Sequence, residues 1–110
     1  MYNIEKTTLG EELMVKHIIV WKLIDGIDKQ SVKQEIKSKL EGLVGKIDGL
    51  VKMEININAL DSSSGDLSMD SVFENEQALK DYQVHPLHKE IANGLVRPNV
   101  CERLSFDYEA

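Results

Sequence analysis

Histidine, tyrosine and cysteine are scarce in this 110-residue chain: three histidines, three tyrosines and one cysteine. His17, Tyr82 and His88 form the most useful set. An imidazole that titrates near neutrality can take a proton. A phenol can donate a hydrogen bond to a developing enolate. Two histidines, a tyrosine and an apolar wall therefore suit proton abstraction next to a carbonyl. The same side chains can instead serve packing, with His17 and His88 hydrogen-bonded in a core and Tyr82 as an amphipathic wedge. Residue types alone leave both readings open.

The other polar candidates have plainer roles. His85 precedes Pro86 and reads as the cap of a short helix. The spacing His85-x-x-His88 suits a metal on one helix, but Pro86 starts the helix between them and no carboxylate joins them. Most metal sites need three or more ligands, so no metal is expected. Asp70, Glu74 and Glu76 read as solvated or capping groups. Cys101 lies beside an apolar face and reads as a small buried hydrophobe. Arg97 and Arg103 can neutralise an acidic ligand at the rim of a site. There is no glycine-rich phosphate loop, no GxSxG elbow and no Cys/His nucleophile pair, which argues against kinases, nucleotide enzymes and serine hydrolases.

The elements that must position these residues are legible from periodicity. His17 to Ile24 is apolar on both faces, with Ile19, Trp21 and Leu23 on one and Ile18, Val20 and Ile24 on the other. Asp25-Gly26 ends it, and Asp28 or Ser31 caps a helix with an apolar stripe at Ile36, Leu40, Leu43, Val44 and Ile47. Gly42 and Gly45 weaken the end of that stripe. Val51, Met53, Ile55 and Ile57 alternate with polar residues as a half-buried strand. A weaker strand follows at Leu67 to Phe73. Asn75 caps a helix over Glu76 to Tyr82, and Pro86 opens another with Leu87, Ile91 and Leu95. A last strand, Val100 to Glu109, places Leu104, Phe106 and Tyr108 on one face. Met1 to Leu13 lacks periodicity and reads as an N-terminal extension, since Met14 stands directly before the first strand and would suit a start codon.

The order βαββαβ specifies an α+β, ferredoxin-like sheet with the helices on one face. That fold implies a partner. The first strand is apolar on both faces, yet no further helix exists to cover the second one. A symmetric homodimer with two sheets packed face to face is the economical answer.

Composition narrows the partners further. A net charge of −6 argues against nucleic acid and anionic membranes. No apolar run approaches the roughly 20 residues of a membrane helix. A single cysteine points to a reducing cytoplasm.

Three segments carry a resemblance to the stress-responsive A/B barrel (Dabb) family. They are Val15-Lys16-His17-Ile18-Ile19-Val20, the run Ala78-Leu79-Lys80-Asp81-Tyr82-Gln83-Val84-His85-Pro86-Leu87-His88, and Ser105-Phe106-Asp107-Tyr108. Tyr-x-x-His-Pro-x-His is the specific element, and the match spans roughly Met14 to Glu109. The resemblance implies a homodimeric α+β barrel built from two four-stranded sheets. A plant branch of the family comprises polyketide cyclases that use a tyrosine and a histidine of this motif, matching Tyr82 and His88. A histidine of their first strand, matching His17, lines the same pocket. Where those cyclases have aromatic residues on the first helix, this chain has Ile36 and Leu40.

Two functions follow as expectations. The first is a homodimer without catalysis of its own, binding a small hydrophobic ligand between His17, Ile19, Trp21, Ile36 and Leu40, with no cofactor. The second is an enzyme, either cyclase-like or resembling the cofactor-free monooxygenases of this fold, with Tyr82 and His88 as its acid–base pair.

Overall fold

The structure, a computed structural model, describes residues 13–110. The extension expected at Met1 to Leu13 therefore lies, apart from Leu13, outside the described residues. Strand β1 (Val15–Leu23) leads to helix α1 (Lys29–Glu41), strands β2 (Leu50–Asn56) and β3 (Leu67–Phe73), helices α2 (Glu76–Val84) and α3 (Pro86–Ile91), and strand β4 (Val100–Glu109). Between α3 and β4 the chain makes a π-helical turn, Ala92–Val96, and a single helical turn, Arg97–Asn99. The sheet order is β2-β3-β1-β4, and every neighbouring pair is antiparallel. This is the ferredoxin-like α+β arrangement that the element order specifies.

Local chemistry explains the boundaries. The Asp28 carboxylate accepts hydrogen bonds from the Ser31 N–H and hydroxyl, both at 3.1 Å, and so starts α1. The helix stops at Glu41, yet Leu43 and Ile47 continue its buried stripe through the turns that follow. Gly49 closes this segment with φ +84°, and a Cβ there would stand 2.5 Å from the Ala78 Cβ, so only glycine fits. The Asn75 side chain accepts from the Ala78 N–H at 2.8 Å and starts α2.

One face of the sheet meets the helices. Val15, His17, Ile19, Trp21 and Leu23 of β1 are all buried there, beside Leu67, Met69, Ser71 and Phe73 of β3. The Ser71 hydroxyl donates to the His17 carbonyl at 2.7 Å, so the serine that seemed to interrupt β3 is satisfied inside the core. Strand β2 departs from simple alternation. Its register with β3 shifts between Leu50 and Lys52, which buries Leu50 and Met53 while leaving Val51 exposed.

The opposite face has no helix over it. Val20, Leu104, Phe106 and Tyr108 stand there at 39%, 74%, 66% and 39% exposure. They share that face because Val20 pairs with Leu104, Ile18 with Phe106 and Lys16 with Tyr108. Cys101, expected in the core, is exposed. Strand β4 is an edge strand, and from Cys101 onward no helix packs over its inner face, so every one of these residues meets solvent.

Candidate functional site

Antiparallel pairing sets the first half of the site. His17 is the third residue of β1, on its helix-facing side, opposite Ser71 of β3 and Asp107 of β4. Its ring is buried, and Nδ1 donates to the Asp107 carboxylate. With Nδ1 engaged by the acid, Nε2 is the ring nitrogen left for a bound molecule.

The second half depends on the break between α2 and α3. A residue before proline is driven out of the helical region, and His85 has φ −67°, ψ 135°. Its N–H returns to the Tyr82 carbonyl at 3.1 Å, and its Nδ1 accepts from the Leu87 N–H at 3.1 Å. His85 is thus the cap of α3, with Pro86 at the first helical position. The turn lays His88 on Tyr82, ring centroids 4.2 Å apart. Tyr82 in turn packs on Phe73 at 5.0 Å, and Phe73 meets the edge of His17 at 6.4 Å. A continuous aromatic row joins the three polar residues.

A cavity of about 540 Å³ opens beside this row, and His17, Tyr82 and His88 all line it. Ile19, Trp21, Leu40 and Met69 form its buried apolar wall. Ile36 is fully buried and is not part of the wall; α1 reaches the cavity one turn later, at Leu40. The rim comes from Gln83, from Arg97, and from Cys101 to Arg103 on β4. Ala92 and Val96 bring the π-helical turn into the wall. Pro98 lacks an N–H and its ring would clash with the Gly94 carbonyl in a regular helix, which explains why the backbone widens there.

Burial tunes the two titratable groups of the motif. It raises the Tyr82 pKa, so the phenol stays protonated at neutral pH and can only donate or accept as a neutral group. It is also the main cause lowering the His88 pKa below 6.5; His17, Arg97 and Arg103 add to it, against the opposing effect of the Gln83 backbone. His88 is therefore neutral at pH 7. Its Nδ1 is buried without a hydrogen-bond partner. A histidine depressed in this way binds fewer protons folded than unfolded. Its contribution to stability is complete above pH 6.5 and declines as pH falls through that value. The His88 imidazole is expected to titrate below 6.5 in an NMR pH series, and His88→Gln to flatten the loss of stability on acidification. A His88 midpoint above that value contradicts the assignment.

Two contributors were not singled out from residue types. Asp107 holds His17, and the π-helical turn opens the wall. The alternation of β4 carries a signal for Asp107, since it points opposite to Phe106 and Tyr108, but only the β1–β4 register places it on His17. Among the described residues, no group of three or more histidine, cysteine, aspartate or glutamate side chains is placed to hold a metal ion. Likewise, no helix there is long and apolar enough to cross a membrane.

The sequence profile of the stress-responsive A/B barrel domain matches residues 15–110. The chain belongs to this family. Among solved structures, this A/B barrel domain is similar to a dimeric, ferredoxin-like protein of unknown function from Bacteroides fragilis. The two are 30% identical with a TM-score of 0.81, over 91% of this chain and 99% of that one. A dimeric ferredoxin-like protein of unknown function from Thermobifida fusca shares 17% identity with a TM-score of 0.79, over 90% and 92% of the two chains. A hydroxynitrile lyase from Passiflora edulis shares 13% identity with a TM-score of 0.76, over 89% and 94%. At those last two identities the likeness is one of fold. No curated protein matches the chain.

Proposed function

We propose that this A/B barrel domain acts as a homodimer that binds a small molecule with an apolar body in the cavity beside Tyr82 and His88. The observation that carries this is the cavity of about 540 Å³ that His17, Tyr82 and His88 line together, against the apolar wall of Ile19, Trp21, Leu40 and Met69. A mostly apolar cavity with a few convergent polar side chains is suited to a small ligand. The uncovered apolar face of the sheet supports the dimer, as do the dimeric relatives. Residues 1–13 act as an extension outside the domain, and the single cysteine agrees with a reducing cytoplasm.

Trp21 is the only tryptophan and lines the cavity, so its fluorescence responds to occupancy. The His88 variant ties the response to this cavity rather than to the hollow over Val20, Leu67 and Leu104 that Trp21 also borders. Titration with 4-phenyl-2-butanone, an apolar body ending in a carbonyl, is expected to shift the Trp21 emission saturably. His88→Ala is expected to abolish that shift while lowering the thermal melt by only a few degrees. Unchanged binding with a stability loss of about 1–3 kcal/mol instead shows a packing role for His88.

A second reading makes the same site catalytic. It is favoured by the His17–Asp107 pair next to a neutral His88 and a protonated Tyr82. In this reading His88 takes a proton next to the ligand carbonyl, and Tyr82 donates a hydrogen bond to the enolate oxygen. Hydrogen–deuterium exchange of the same ketone in D2O separates the two. Exchange above the solvent rate that disappears in Tyr82→Phe and His88→Ala marks an enzyme, and binding without exchange marks a binding protein.

Removing Met1 to Leu13 is expected to leave the dimer intact and to change stability by about 1 kcal/mol or less, a few degrees in a thermal melt. A collapse of the melting temperature would show that the segment packs on the domain.

A further inference from the structure

The basic residues of this chain are unevenly divided. Eleven of the thirteen are lysines, and the two arginines, Arg97 and Arg103, both line the same cavity, which no lysine lines. They reach it from different elements: Arg97 from the turn before β4, Arg103 from the inner side of β4 opposite Trp21. The nearby carboxylates are already engaged. Glu102 stands 3.8 Å from Lys22, and Asp107 is held by His17. Among the described residues, neither arginine is in an ion pair. An acidic protein of net charge −6 thus keeps two uncompensated guanidinium groups at one cavity mouth. Burial gives the cavity a direction as well: Ile19, Leu40 and Met69 lie deep, whereas Arg97 and Arg103 are exposed at the rim.

We propose that the ligand of this cavity is an organic carboxylate, its apolar body against Ile19, Leu40 and Met69 and its acid group between Arg97 and Arg103. This rests on the binding role assigned to the cavity above. A guanidinium presents its N–H donors in a planar fork that matches a carboxylate, which a lysine ammonium does not. With the acid group at the rim, the chain of the ligand passes His88 and Tyr82 on its way to the apolar wall.

The test compares 4-phenylbutanoate with 4-phenylbutanamide, which has the same body without the charge, by Trp21 fluorescence. The acid is expected to bind about tenfold more tightly than the amide. Arg97→Gln and Arg103→Gln are each expected to remove most of that preference without weakening the amide, and Arg103→Lys to keep part of it. Equal binding of acid and amide, or a preference that survives in both glutamine variants, overturns the carboxylate assignment and leaves the cavity as a ligand site. Displacement of the acid by an equal concentration of inorganic phosphate overturns it in favour of a phosphate-bearing ligand. Failure of both probes to bind up to about 5 mM removes the binding role itself.

Discussion

Phe106→Asp is expected to turn a species of about twice 12.4 kDa into one of 12.4 kDa in size-exclusion chromatography with light scattering at low micromolar concentration. Phe106 is 66% exposed and stacks on Tyr108 with ring centroids 5.4 Å apart. Leu104 and Val20 extend the same apolar surface on the side of the sheet that no helix covers. If a second copy covers that surface, an aspartate at its centre becomes a buried, unpaired charge. Such a charge costs about 3–5 kcal/mol, or roughly two to four orders of magnitude in the dissociation constant. Lys39→Asp, on the outer side of α1, serves as the control and is expected to leave the dimer intact. A native chain that is already monomeric, or a Phe106→Asp variant that remains dimeric, would sink the proposal.

Phe73→Ala is expected to produce the largest loss of stability in the domain. The ring is fully buried and lies between His17, at 6.4 Å, and Tyr82, at 5.0 Å. Its removal leaves a cavity under the aromatic row and costs about 3–5 kcal/mol, a fall in melting temperature of roughly 15–30 °C at fixed protein concentration. Phe73→Leu keeps most of the volume and is expected to cost about 1.5 kcal/mol or less. The alanine variant should also lose any Trp21 response to ligand, because Tyr82 no longer has a wall to rest on. A Phe73→Ala protein that melts within a few degrees of the native chain would show that the row does not organise this core.

Much of the site was legible before any coordinates. Tyr82 and His88 belong to one short motif, and the His85-Pro86 break between them has only one local consequence: an extended residue, a new helix and two side chains brought together. His17 was readable as a member of the apolar face that continues through Ile19 and Trp21. Other features escaped because they depend on contacts distant in sequence. Ile36 and Leu40 belong to one helical stripe, and nothing local says which of them meets a cavity and which is sealed in the core. Cys101 follows Val100 in a strand with an apolar face, but its exposure follows from β4 being an edge strand that the helices do not cover.

The order of elements, the helix caps, the two apolar faces of β1 and the composition of the motif were all set by the sequence itself. Each depends on side-chain periodicity, or on hydrogen bonds spanning only a few residues, and such interactions are written in neighbouring letters. Three further features exist only in the tertiary structure. The register between β1 and β4 delivers Asp107 to His17, the bulge at Val51 puts Leu50 in its place on the buried face that Met53 and Ile55 continue, and the closing of the chain onto β4 brings Arg97 and Arg103 to one opening. Strand register is decided by burial summed over the whole sheet, and a shift of one residue would turn Asp107 to the opposite face and away from His17.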